Sequence, residues 1–205
     1  MRFSTLLFAS IAAAAPAPVG NGIKSIADSL LKTSKSLSGY SDTAVSASAH
    51  LSYDTSANID PTVDLTKALN LAALELWASA YDVEQKACAI AKSINEQTTQ
   101  SQIDALSAAV TAEAQAVLKL KTTVQTVVDK IKPIAMAFTS SEKSAVETAI
   151  KALAKSAEAA VAPLIPLASG LKGVGVSGVY DSVDDLKGAV TGLVSIGSAV
   201  SLPPW

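Results

Sequence analysis

Few residues in this chain have the types and spacing that chemistry needs. His50 is the only histidine and Cys88 the only cysteine. A cysteine beside a histidine can act as a nucleophile, but nothing flanking either residue supports such a pair. One histidine cannot build a histidine-based metal cluster within a single chain. Cys88 stands beside Ala87 and Ala91 in a helical pattern, as a small buried thiol would; pairing with another chain is the alternative. Asp184-Asp185 falls where the first turn of a last helix is expected. Acids there favour the helix dipole, and no loop of spaced oxygen ligands surrounds them. The run Gly173-Val174-Gly175-Val176-Ser177-Gly178 lacks the preceding strand and βαβ unit of a nucleotide-binding loop, so it reads as a flexible connection. The expectation is a protein without catalytic residues, metal ligands or a cofactor.

Composition narrows the remaining classes. Arg2, the apolar run Phe3–Ala15 and the small residues Ala12-Ala13-Ala14 form the pattern of a secretory leader. That run is too short to span a bilayer. The reading is a removed signal peptide over 1–14 and one domain over 15–205, in a protein that is secreted and extracellular or wall-associated. The formal net charge is −2, and no arginine occurs after Arg2. Nucleic-acid binding leans on basic stripes and bidentate arginine and is therefore excluded. With one cysteine there is no intrachain disulfide, so burial alone must hold the fold. Hydrophobic residues make up 49% of the chain and aromatics only 4%, so the interior must be aliphatic.

The elements that position these side chains are helices. Ile23, Ile26, Leu30, Leu31 and Leu37 predict a first helix over 21–38, followed by a loop or a short helix between 39 and 60. Asp60-Pro61 is an N-cap and first-turn pair opening a second helix through Leu65, Leu69, Leu76, Val83 and Ile94. Ser101 caps a third, through Ile103, Val110, Val117, Val124 and Ile131, which ends at Pro133. Thr139-Ser140-Ser141-Glu142 is a capping box for a fourth through Val146, Leu153 and Leu164, punctuated by Pro163, Pro166 and Gly170. Asp181 or Ser182 caps a last helix that Gly188, Gly192 and Gly197 weaken. Ion pairs are expected at Asp82/Lys86 and Glu147/Lys151. Short connections then predict an all-α antiparallel bundle of about five helices in a single domain.

An aliphatic stripe of this kind is first of all a bundle core. A core of Ala, Val, Leu and Ile also suits an apolar ligand, because burial gives roughly 0.8 kcal/mol per methylene without any polar motif. The candidate lining is Leu69, Leu76, Val83, Val117, Val124 and Leu153. Trp77 and Tyr81, one helical turn apart, and Lys121 are candidates for a pocket mouth. The partner would be a fatty acid, another lipid or a hydrophobic surface, with no nucleic acid and no transmembrane segment.

Three features taken together, the start MRFSTLLFASIAAAAPAP, the segment SLLKTSKSLSGYSD and the long alanine-rich helices without disulfides, resemble the fungal hydrophobic surface-binding protein A family and related cell-wall galactomannoproteins. The resemblance implies a secreted helical bundle that adsorbs to hydrophobic surfaces, with fatty acid held by some relatives. The alternative is a structural cell-wall or host-interacting secreted protein with no small-molecule ligand.

Overall fold

Buried positions along each long segment recur every three or four residues, which places them on one face of an α-helix. A computed structural model describes residues 19–91, 100–173 and 178–201. Six α-helices run through them: α1 Val19–Ala49, α2 Ile59–Ala91, α3 Gln100–Ile131, α4 Ser140–Val161, α5 Leu164–Gly173 and α6 Gly178–Ala199. Five are long and α5, at 10 residues, is a short addition, so the expected all-α bundle of about five helices is the architecture found. The leader over 1–14, the Thr98-Thr99 connection, the loop over 174–177 and the Pro203-Pro204-Trp205 terminus lie outside the described residues, as does the Cys88 side chain. Among the described residues, no helix is long and apolar enough to cross a membrane.

The five long helices form a closed ring in the order α1, α2, α4, α6, α3 and back to α1. Not all ring neighbours are antiparallel. Lys119 bonds the Ser38 carbonyl, Thr123 meets Ser41, and Lys130 bonds the Ala49 carbonyl, so α1 and α3 run side by side in the same direction. Ser107 and Thr111 of α3 meet Gly178 and Ser182 of α6 in the same order, so this pair is parallel too. Gly22 approaches Ile90 at one end of the α1/α2 pair, and Ser52 bonds Asn58 at the other; these two helices are antiparallel. α3 therefore takes its place on the far side of α1 from α2, a step in ring order that departs from chain order. Short links alone do not reveal that step.

Several boundaries differ from the sequence expectation, each for a local reason. The first helix does not stop at 38. Ser41 continues its buried face and shares a 2.6 Å hydrogen bond with Thr123 of α3, and Ala44, Ala47 and Ser48 extend the same face. The stripe persists in small polar residues that hydropathy does not register. Upstream of α2 the capping residue is Asp54, which accepts from the Ser56 amide at 3.0 Å and starts a 3-10 turn over Thr55–Asn58; Asp60 lies in the first turn of α2. The fourth helix ends at Val161 because Pro163 has no N–H to donate and crowds the preceding turn. Pro166 then sits in the first turn of α5, where an amide hydrogen is not needed, and Gly170 lies inside that helix. α6 begins at Gly178, ahead of the expected caps Asp181 and Ser182, so Asp184 and Asp185 lie beyond its first turn. The Ser182 hydroxyl turns inward and donates to the Gly178 carbonyl at 3.0 Å. The capping box stands as read: the Thr139 amide donates to Glu142, and the Glu142 amide to the Thr139 hydroxyl. The pairs Asp82/Lys86 and Glu147/Lys151 also form.

Buried polar groups lock the ends of the ring. Asn58 is fully buried and binds Ser52 through both its amide oxygen and nitrogen, at 2.9 Å each, while its nitrogen also reaches the Ala137 carbonyl at 3.2 Å. One side chain thus ties the α1–α2 turn to the 3-10 segment Lys132–Ala137 that precedes α4. Elsewhere closeness depends on absent side chains. A Cβ on Gly197 would lie 2.7 Å from the Ala154 Cβ, against helix α4. A Cβ on Gly192 would meet only the far end of the Lys121 side chain, at 2.7–2.9 Å. Gly197→Ala is therefore expected to cost about 1–3 kcal/mol through displacement of α6 from α4. Gly192→Ala lets Lys121 swing aside and recovers helix propensity, for a change within about 1 kcal/mol. Urea unfolding of both variants checks this, and equal losses would sink the distinction.

Candidate functional site

α2 is two-faced. Its inner stripe, including Leu65, Leu69, Leu76 and Val83, is completely buried. A second apolar stripe lies on its outer side, where Val63, Leu74, Trp77 and Tyr81 are 59%, 65%, 49% and 64% exposed. A helix whose only partner is the core has a polar outer face. Here Leu74, Trp77 and Tyr81 follow one another in solvent, with Val63 set apart from them by Lys67 and Asn70, and large exposed apolar patches are the surfaces that partners contact.

The seam between α2 and α4 deepens this stripe into two depressions. The two helices are parallel neighbours, and the facing side of α4 is built largely from small residues. One depression, of about 520 Å³, lies among Thr62, Val63, Thr66, Lys67, Asn70, Leu71, Leu74, Ser141, Glu142 and Ala145. The other, of about 460 Å³, lies among Trp77, Ala80, Tyr81, Glu84, Ala87, Ala159, Ala162, Pro163 and Pro166. The grooves exist because alanine and proline on α4 and α5 leave space beside the bulky residues of α2. Polarity changes along the seam. Thr62, Thr66, Lys67 and Ser141 gather at the first depression, and the Thr62 hydroxyl is buried without a hydrogen-bond partner among the described residues. Alanine, proline and aromatic rings dominate the second.

The residues singled out from sequence separate into three places. Leu69, Leu76, Val83, Val117, Val124 and Leu153 are all completely buried in the common core and line neither seam depression. Trp77 and Tyr81 border the second depression. Lys121 lies at the α3/α6 seam, beside Gly192, Ser195 and Ile196, and the fold does not bring it near the two aromatics. His50 follows the C-terminal end of α1, whereas position 88 is near the opposite end of the α1/α2 pair, so the fold does not join them. Trp77 and Tyr81 by themselves do not reveal the outer stripe. The signal was their continuation to Val63 and Leu74 at helical spacing, one face away from the core stripe.

One further residue was missed inside the bundle. Along α3 the buried positions Ile103, Leu106, Val110, Val117, Leu120, Val124, Val127 and Ile131 step by three and four, with one gap between 110 and 117. Glu113 fills that gap and is completely buried. Neither carboxyl oxygen has a hydrogen-bond partner among the described residues, and the same holds for the buried Ser79 hydroxyl of α2. Burial pushes the Glu113 carboxyl up to about 8, so the acid is held largely protonated at neutral pH. The interruption of an otherwise unbroken heptad stripe by a charged residue was its sequence signal.

Comparison of the chain with protein-family models, with curated proteins and with solved structures gives no match. The functional reading therefore rests on the geometry above.

Glu113 makes stability depend on pH in a defined direction. Its ordinary value is 4.5 and its value in the fold about 8. Between these the unfolded chain has released the proton and the folded chain has not, so stability falls as pH rises through the window and levels off above it. The loss is on the order of 3–5 kcal/mol. Glu113→Leu is expected to abolish this component and to stabilise the protein at pH 7, because the buried acid is replaced by packing. Glu113→Gln should remove the pH component while keeping a polar group in the core. Urea midpoints from pH 4.5 to 8.5 check both, and an unchanged wild-type slope in Glu113→Gln would contradict the assignment.

Proposed function

We propose that this protein is a non-catalytic, secreted binder of apolar material, and that long-chain amphiphiles and hydrophobic surfaces engage the outer face of α2 along its seam with α4. The observation that carries this reading is the solvent-exposed row Val63, Leu74, Trp77 and Tyr81 beside two depressions lined mostly by carbon. A tail of about a dozen methylenes gains roughly 10 kcal/mol of gross driving force on full burial. Partial coverage on an open seam and the cost of ordering the chain reduce this, which makes roughly micromolar affinity the expected scale.

The gradient of polarity supports an orientation. The polar head group of an amphiphile lies at the first depression, where the Thr62 hydroxyl and Lys67 offer donors and Glu142 sets a carboxylate beside them, and the tail runs toward Trp77 and Pro163. A single flexible ammonium is a weak anchor beside the planar fork of an arginine, so the tail supplies most of the affinity. The resemblance to fungal hydrophobic surface-binding proteins and the leader-like start favour the same role outside the cell or at the wall.

Trp77 is a built-in reporter, since Trp205 is the only other tryptophan. In a Trp205→Phe background, titration with hexadecanoate should shift Trp77 emission to the blue and saturate. Leu74→Asp combined with Tyr81→Asp should weaken binding by about tenfold or more and release the protein from polystyrene. Both positions are exposed, so far-UV circular dichroism should not change. An unmoved Trp77 spectrum together with undiminished adsorption of the double variant would overturn the assignment to this face.

A further inference from the structure

We infer that the outer face of α2 is also a self-association surface, on which a second copy of this chain lays its own α2 in antiparallel orientation. The outward positions Val63, Lys67, Asn70, Leu74, Trp77, Tyr81 and Glu84 recur in alternating steps of four and three, and all seven are exposed. Steps of four and three over three turns or more are the spacing of a helix–helix seam, since they keep one row of side chains facing a partner helix. Nothing within the described chain covers this row. α1 and α4 flank α2 and pack on its other sides.

Charge selects both the partner and its direction. In a two-fold pairing centred between Glu75 and Leu76, Leu74 meets Trp77 of the second copy, Asn70 meets Tyr81, and Lys67 meets Glu84. Each contact occurs twice, as an isologous interface requires. A parallel pairing would instead set Lys67 against Lys67 and Glu84 against Glu84. Lys67 and Glu84 are about 25 Å apart on one helix and cannot pair with each other. Among the described residues neither has an ion-pair partner. The row is thus self-complementary only when reversed upon itself. The same reversal brings the Trp77 of one copy alongside the 520 Å³ depression next to Leu74 of the other.

A seam of one helix per copy lies at the low end of the roughly 800 Å² per partner that stable complexes bury. The dimer is therefore weak and reversible. This inference rests on the same face as the binding proposed above, and a second copy competes with ligand for it: self-association shields the row in solution, and an apolar surface displaces it.

Sedimentation velocity at low ionic strength, from micromolar to near-millimolar protein, tests the pairing. Wild type should show a reversible monomer–dimer equilibrium. Lys67→Glu and Glu84→Lys should each weaken it by about tenfold, since each turns two attractions into two repulsions. The double variant carrying both exchanges should regain wild-type association. A chain that stays monomeric throughout, a dimer indifferent to the single exchanges, or a double variant that is not rescued would each overturn the inference. Hexadecanoate binding by dilute, monomeric wild type separates the two readings. Binding without dimerisation refutes the pairing alone, and dimerisation without binding refutes the ligand role alone.

Discussion

The whole bundle depends on close approach between helices whose facing side chains are aliphatic, with alanine, glycine, serine and threonine set among leucine, isoleucine and valine. No disulfide within the chain can brace the fold, and 4% aromatic content leaves few large groups to fill space. Stability then has to come from alanine, valine and leucine packed at interior density, where a single methylene is felt. This is why glycine recurs at helix contacts rather than only at turns. Gly22 admits Ile90, and Gly197 admits Ala154. It is also why serine and threonine appear inside: the Ser41–Thr123 and Ser107–Ser182 contacts are short bridges that fit where helices already lie close.

The same constraint shapes the outside. α2 borrows its inner face for the ring and keeps a second apolar row in solvent, while α4 beside it is too thin in side chains to cover that row. The result is a seam with depressions rather than a smooth wall. An apolar surface of this kind is useful only to a partner that supplies the missing carbon, whether an acyl tail, an extended hydrophobic material or another copy of the chain. With no arginine after Arg2, the only permanently cationic side chains along the seam are lysines, so on the proposed reading recognition is led by shape and desolvation.

Glu113 stands against this economy. A carboxyl without a hydrogen-bond partner among the described residues, in the middle of an aliphatic stripe, is held neutral at the expense of stability above its ordinary titration range, and Ser79 on α2 is a second such buried group. Locally the sequence and the fold disagree at this position. Departures from an otherwise consistent pattern are where function or conformational change is expected to reside.

Much of the architecture was legible before the fold was known. The spacing of three and four between Leu65 and Val83, or between Ile103 and Ile131, determines helix by itself, because only that geometry gathers those side chains on one face. The Thr139–Glu142 box is equally local: both hydrogen bonds close within one turn, so no tertiary contact is needed to place it. The continuation of α1 past Gly39 was not legible, since Ser41 earns its buried place only by meeting Thr123, 82 residues away. Nor was the ring order, because connection length says nothing about which side of α1 the third helix will occupy. For the candidate site the division is the same. Sequence placed Trp77 and Tyr81 one turn apart on a helix, beside the core stripe. Only the tertiary structure showed that their row faces solvent, that Lys121 belongs to another seam, and that the six proposed lining residues are the core itself. Periodicity reveals that a face exists; which faces are covered depends on neighbours that come from far along the chain.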